Sequence, residues 1–571
     1  MNNPPARPLE VVSKRGVVSC GHLAEAEAGA RMLEQGGNAV DAVVAAAFTG
    51  YVVEPASCGC GGYGHMALFL AETGQLVSVD HSVRAPAAAR PDMFEIDPSR
   101  PTTYYGWPPV RERRNEQGGI SVAVPGGVSG LCAAHELWGR LPRAQVLEPA
   151  IEAAEAGVCV TWDLVLAVAG RLEEIEARPN AAALLLCDGR PPKLPEDGGS
   201  PRARKARIDT SRLAETLREV ARRGAAGFYR GWVAESIERA VKADGGLLTL
   251  DDLARYQAKV TVEPGAWYRG IRYSTACDPV GYEALNILSR FELAVYGPES
   301  TEYRHLMAEA LGHAFADNMQ HYADPDFGPA PVNGLASSEF AASRAAGIQF
   351  DRAAPRPIEP GNPWPFELEP QIVEPVPTRP SAAGLTGTSQ MVATDAAGNV
   401  VALITSITSP FGSLVLVPEG GFFLNNAMRN FDPRPDRANC IVPGKTPIFA
   451  VPAIAAEQDG VGVFGAGGSG GYRITSGVLH ALVNHVEFGM GVQDAVDSPR
   501  VHCQGEETYV DTRIPLEVQE RLLELGHVVV RQEDVPAPIN FARVSAVARD
   551  AATGELSAGS SPSWNTAVAA A

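Results

Sequence analysis

Two hydrophobic periods alternate along this chain. Apolar residues at helical spacing run through 23–52, 144–178, 210–242 and 301–323, which predicts helices there. The most apolar stretch, Ala39–Val53, is Ala-rich and shorter than the roughly 18 residues of a membrane span, so it predicts a buried helix. Strand patterns appear at 64–70, 76–80 and 121–124. The clearest strand pair comes later. Thr388-Ser-Gln-Met-Val-Ala-Thr-Asp395, a polar turn Ala396-Ala-Gly-Asn399, and Val400-Val-Ala-Leu-Ile-Thr-Ser406 read as a β-hairpin. Beyond it the pattern predicts a helix at 475–488 and a second helix with Pro515 near its first turn and Gly526 at its end. Strands are predicted at 528–530 and 543–548.

Between the helical first part and the hairpin lies the segment 351–387. It holds nine prolines and little apolar periodicity, which predicts a mobile, exposed connector. The 571 residues are 45% hydrophobic and 20% charged, as in globular proteins. The net charge of −19 argues against a nucleic-acid partner, and no apolar run is long enough to make the membrane one. The first residues, Met1-Asn-Asn-Pro-Pro-Ala-Arg-Pro8, lack a basic region followed by an apolar core, so a cytoplasmic location is expected. Nine scattered cysteines fit reduced thiols. Cys58 and Cys60 are the one close pair, and they read as small residues packed under a glycine-rich loop. Neither the cysteines nor the eleven histidines show ligand spacing, so no metal and no organic cofactor is expected.

The chemistry centres on Thr388, where the connector meets the hairpin. Cleavage of Gly387–Thr388 would give this threonine a free α-amine beside its own hydroxyl. A threonine hydroxyl is a poor nucleophile at neutral pH, and an adjacent neutral amine can take its proton. Taken alone, a Gly-Thr pair is an ordinary loop entering a strand; the residues around it change that.

Downstream come Pro410-Phe-Gly412, Gly420-Gly-Phe-Phe-Leu-Asn-Asn426, Pro443-Gly-Lys-Thr-Pro447, Gly467-Gly-Ser-Gly-Gly-Tyr-Arg-Ile474 and Ala495-Val-Asp-Ser-Pro-Arg500. Upstream are Gly36-Gly-Asn-Ala-Val-Asp-Ala42, Glu54-Pro55 with Gly59-Cys-Gly-Gly62, Val124-Pro-Gly-Gly127, Leu248-Thr-Leu-Asp-Asp-Leu253 and Glu309 with His313-Ala-Phe-Ala-Asp317. In this order the motifs resemble the γ-glutamyltransferase family of N-terminal-nucleophile hydrolases, from about residue 15 to the C-terminus. The resemblance implies an α+β fold, a four-layer αββα sandwich. It also implies self-cleavage into a large subunit, 1–387, and a small subunit, 388–571, that stay together as a heterodimer, with a dimer of heterodimers left open.

It assigns roles as well. Thr388 would be the nucleophile and Gly387–Thr388 the cleavage site. Gly470 and Gly471 match the pair whose backbone N–H groups form the oxyanion hole. Ser406 stands where the family has a threonine whose hydroxyl contacts the nucleophile. The positions that read glutamate depart from the family. Ser82 aligns with the arginine for the α-carboxylate, Asn430 with the aspartate for the ammonium, Thr408 with a pocket asparagine, and Phe449 and Ala450 with a serine pair. Losing charge partners for a buried carboxylate or ammonium costs several kcal/mol. The expected substrate is therefore a small amide with a non-glutamyl acyl group. Arg84 and Arg429 are the candidates to hold an acidic group on it, with a surface charge as the plain alternative. Tyr63 and His65 replace small residues in the glycine-rich loop. The rival readings are a γ-glutamyl hydrolase or transferase acting on glutathione-like compounds, and an uncut relative that only binds.

Overall fold

The computed structural model describes residues 10–103, 106–194, 207–276, 278–367, 387–449, 451–535, 539–562 and 565–571. Fourteen strands form its two main sheets, numbered here in chain order. They are β1 Glu10–Ser13, β2 Gly16–Cys20, β3 Tyr63–Leu70, β4 Gln75–His81, β5 Lys259–Glu263, β6 Ala266–Tyr268 and β7 Ile271–Ser274. After the connector come β8 Gly387–Asp395, β9 Val400–Thr408, β10 Ile454–Gln458, β11 Val461–Ser469, β12 Arg543–Arg549, β13 Leu556–Ser560 and β14 Ala567–Ala570. The first sheet runs β14-β2-β8-β9-β3-β4-β5 and the second β1-β13-β12-β11-β10-β7-β6.

Strand alternation builds the layers. On β8, β9 and β3, Met391, Ala393, Val401, Leu403, Met66 and Leu68 face a helix layer that includes Leu23–Glu34 and Ala39–Val53. Their neighbours Val392, Ala402, Ile404, Ala67 and Phe69 face the second sheet. Helices Pro279–Leu288, Thr301–His321 and Arg473–Phe488 pack with that second core. A β-strand that is buried on both faces must be apolar on both, and β8 and β9 are buried throughout. The result is the αββα order.

Several predicted elements differ. The run 144–178 is three helices, Arg143–Ala156, Trp162–Ala169 and Leu172–Glu176, parted at Gly157 and Gly170. Residues 121–124 form no strand. Asn425 reaches across from the other half of the chain, accepting from the Ala123 N–H and donating to its carbonyl, so a side chain takes the place of a neighbouring strand. The connector is also not wholly exposed. Ile358 and Trp364 are buried, and Arg356 pairs with buried Glu309 at 2.5 Å. Residues 368–386 lie outside the described residues. Among the described residues, no helix is long and apolar enough to cross a membrane.

Candidate active site

Thr388 sits at the start of β8, buried, opposite Ser406 on β9. The ladder register shifts between Gly387 and Thr388, so the pairing is irregular at the bond expected to break. Gly387 is required there: a Cβ on it would lie 2.6 Å from the Ala56 carbonyl oxygen and 2.7 Å from that of Ser409. Ser406 Oγ stands 3.2 Å from Thr388 Oγ1, donates to the Gly387 carbonyl at 2.6 Å and accepts from the Thr408 N–H at 2.9 Å. One hydroxyl thus touches both Thr388 Oγ1 and the Gly387 carbonyl.

Gly470 and Gly471 follow β11 and lead into helix Arg473–Phe488. Their φ angles of +138° and +65° exclude ordinary side chains, and they place backbone N–H groups at a helix start. A link that the sequence did not disclose ties this turn to Thr388. Arg543 on β12 donates from Nη2 to the Thr388 carbonyl at 2.8 Å, from Nη1 to Glu54 at 2.8 Å, and from Nε to the hydroxyl of Ser469. Glu54 also accepts from the Ser389 hydroxyl. Burial works against its charge, but Arg543 and the hydrogen bonds from Glu25 and Ser389 together hold the carboxyl below its ordinary range. Nearby Glu25 is pushed up by burial and by Glu54.

The pocket positions gather beside Ser406. Tyr63, paired with Ser406 across β3 and β9, hydrogen-bonds Thr408 Oγ1 at 2.9 Å and accepts from Asn430 Nδ2 at 3.1 Å. Burial raises the phenol's pKa, so it stays protonated. Thr408 holds φ +78°, a sparsely populated conformation for threonine. Phe449 packs edge-on against Tyr63 at 4.9 Å and stacks on His65 at 5.2 Å. His65 Nε2 meets Ser82 Oγ at 2.8 Å, and burial lowers the imidazole's pKa. The expected substrate positions Ser82, Thr408, Asn430 and Phe449 are therefore linked through Tyr63 and His65 in one network of contacts, whereas Ala450 lies outside the described residues. Tyr63 and His65 were visible only as large residues among glycines; strand register places Tyr63 opposite Ser406 and His65 opposite Ile404.

The two arginines differ. Arg429 donates to Ser409 Oγ at 2.7 Å. It also faces Glu116, whose carboxyl, although partly buried, is held low by Arg429 and Arg113. Arg84 lies three residues past the end of β4, contacts Thr446, stands 3.8 Å from Asp80, and lines a cavity of about 410 Å³ with Arg255 and Tyr256.

Folding also assembles a cluster the histidine spacing did not show. His305, Glu309 and His527 bring potential ligand atoms within 4.8 Å. Their lone pairs are already engaged. His305 Nδ1 and His527 Nε2 are 2.7 Å apart, His305 Nε2 meets the Gln349 carbonyl at 2.8 Å, and Arg356 donates to Glu309 at 2.5 Å and to His527 Nδ1 at 3.3 Å. With a cation already among the donors, the cluster is a polar link between residues before and after Thr388. Cys58 and Cys60 are buried, and burial raises both thiols, Cys60 well out of the physiological range.

Comparison with known proteins gives this geometry a context. The chain is 34% identical over 541 residues to the acylase ACY 1 proenzyme of Pseudomonas sp. (strain SE83), covering 92% of this chain and 89% of that one. It is 31% identical over 524 residues to the glutathione hydrolase proenzyme of Bacillus subtilis (strain 168), covering 90% and 85%. Its fold is similar to that of cephalosporin acylase from Bacillus halodurans, with a TM-score of 0.83, 28% identity, and coverage of 100% of this chain and 99% of that one. The family model described as gamma-glutamyltranspeptidase matches residues 25–571, so the chain belongs to the γ-glutamyltranspeptidase family of N-terminal-nucleophile hydrolases.

Proposed function

We propose that this chain is the precursor of a threonine amidohydrolase, an acylase that cuts itself between Gly387 and Thr388. It then transfers the acyl group of a small amide to water. The observation that carries this reading is the Ser406 hydroxyl, which contacts both Thr388 Oγ1 and the Gly387 carbonyl. In processing, Thr388 Oγ1 attacks the Gly387 carbonyl carbon and the C–N bond breaks. The acyl chain moves to oxygen as an ester, and the freed α-amine takes a proton. Water then hydrolyses the ester, leaving a Gly387 carboxylate and an N-terminal Thr388. The products have 387 and 184 residues.

Turnover reuses these parts. The neutral α-amine takes the Thr388 hydroxyl proton as the oxygen attacks the substrate carbonyl, and positioned proton transfer of this kind contributes roughly 10²–10⁴ in rate. The developing oxyanion is received by the N–H groups of Gly470 and Gly471. The C–N bond breaks, the proton passes to the leaving amine, and water activated by the same α-amine hydrolyses the acyl-threonine ester. The acyl group is not γ-glutamyl. Asn430 is neutral and bonded to Tyr63, Phe449 is apolar, and Ser82 is bonded to His65, so the set offers no charge pair for an amino-acid head. The acylase named among the relatives supports this reading.

Intact-mass measurement on purified protein, followed by an amide panel that includes glutathione and a γ-glutamyl anilide, tests it. A single full-length chain after long incubation, or a new N-terminus other than Thr388, would sink the proposal. Robust turnover of the γ-glutamyl substrates would return the pocket to glutamate.

A further inference from the structure

A buried arginine is costly unless its charge and its donors are all met. Arg543 is 5% exposed and sits on the second sheet, whereas Thr388 is on the first. A single ion pair with Glu54 would satisfy its charge. The guanidinium does more: its three nitrogens go to three different elements. Nη1 meets Glu54 at the end of helix Ala39–Val53, Nη2 meets the carbonyl of Thr388 on β8, and Nε meets Ser469, the last residue before Gly470. Glu54 in turn holds the Ser389 hydroxyl, next to the nucleophile. A planar fork fixes the angles between its partners, which a lysine cannot do.

We propose that Arg543 is a positioning residue, which sets the separation between the Thr388 hydroxyl and the Gly470–Gly471 turn and is itself held by Glu54. This rests on the reading of Thr388 as nucleophile and of the glycine pair as oxyanion donors. Tetrahedral intermediates tolerate little error in that separation, because a displacement near 1 Å costs roughly a hundredfold in rate. The nucleophile and the turn lie on different sheets, and the guanidinium reaches both. The titratable groups acting on Arg543 and Glu54 include Glu25, His22 and Asp163, with Cys20, Cys58 and Tyr63 buried close by. Burial keeps the two thiols and the phenol protonated, and burial and Glu54 push Glu25 up, so the ion partner of Arg543 in direct contact is Glu54.

The test uses two reactions that need no knowledge of the natural substrate. One is self-cleavage of the full chain, followed by intact mass. The other is acylation of the cleaved enzyme by 4-nitrophenyl acetate, a small activated ester. Three variants are compared with wild type: Arg543→Lys, Arg543→Ala and Ser469→Ala. We expect Arg543→Lys to slow both reactions by roughly a hundredfold through kcat with KM unchanged, while its thermal midpoint stays near wild type. Ser469→Ala, which removes only the tie to the turn, should slow ester acylation by about tenfold and leave the midpoint unchanged. Added guanidinium ion should restore part of the rate of Arg543→Ala. Wild-type rates in Arg543→Lys and Ser469→Ala would overturn the proposal, as would rate losses that match the loss of folded protein in every variant. If the wild-type chain itself never cleaves at Gly387–Thr388, the functional reading fails first. If wild type cleaves and the variants match it, only the positioning role fails.

Discussion

Replacing Ser406 by alanine removes one oxygen and three contacts. The hydroxyl donates to the Gly387 carbonyl at 2.6 Å, accepts from the Thr408 N–H at 2.9 Å and lies 3.2 Å from Thr388 Oγ1. The stability cost comes mainly from the stranded Thr408 N–H, since an unpaired buried donor costs about 1–3 kcal/mol. Against a usual folding stability of about 5–15 kcal/mol, the variant should still fold. The rate cost is larger. A donor aimed at a carbonyl that becomes an oxyanion is worth roughly 10²–10³ in rate, or about 2.7–4 kcal/mol of barrier. Ser406→Ala should therefore accumulate as a full-length, folded chain and cleave a hundred to a thousand times more slowly, by the same arithmetic. Ser406→Thr, which keeps the hydroxyl, should cleave within about tenfold of wild type. The assay is the fraction of full-length chain by intact mass against time after purification, with circular dichroism to confirm folding. Cleavage of a folded Ser406→Ala chain at the wild-type rate would refute the assignment of that hydroxyl.

Thr388→Ala should remain one chain of 571 residues and be inactive, because one hydroxyl serves both reactions; intact mass and the ester assay check this. Glutathione should support little or no γ-glutamyl transfer, and acceleration of its turnover by a dipeptide acceptor would contradict the pocket assignment. Arg429→Ala should lower kcat/KM for a substrate with an acidic acyl group far more than for its neutral analogue. Arg84→Ala should do so less, since Arg84 stands beyond Ser82 beside Thr446; equal effects on both substrates would leave both arginines structural. Acidification should destabilise the fold between pH 6.5 and 4.5, the ordinary values of histidine and glutamate. Burial lowers His65, His81, His313, His321, His480, His502 and His527, four of them to about 3, so the unfolded chain takes up protons that the folded chain refuses. Glu25, Asp278, Glu283 and Asp534 are raised and act in the opposite direction. The carboxyls of Glu54, Asp80 and Glu116 are held low and add to the histidines' direction, so stability should fall as the pH drops through this window. A thermal midpoint that rose from pH 6.5 to 4.5 would contradict this sign.

The parts of this protein that are local were legible in its sequence. The hairpin at Thr388 showed in its strand–turn–strand pattern, and it formed with β8 and β9 extended by a residue or two beyond the expected ends. The glycine pair at 470–471 and the helix after it were legible because glycine and apolar spacing act within a few residues. The order of motifs carried the family and, through it, the sandwich. What the sequence left open was the pairing of buried polar groups. Glu54 and Arg543 are 489 positions apart, and Arg543 and Thr388 are 155 apart. No periodicity marks such partners; they are chosen when desolvation forces every buried donor to find an acceptor. The same holds for residues 121–124, where the Asn425 side chain stands in for a neighbouring strand, and for the connector, whose first part packs as Arg356 meets Glu309. It holds also for Tyr63, whose place beside Ser406 depends on the register between β3 and β9. Periodicity specifies which face of an element is buried, and only the packed chain decides what that face meets.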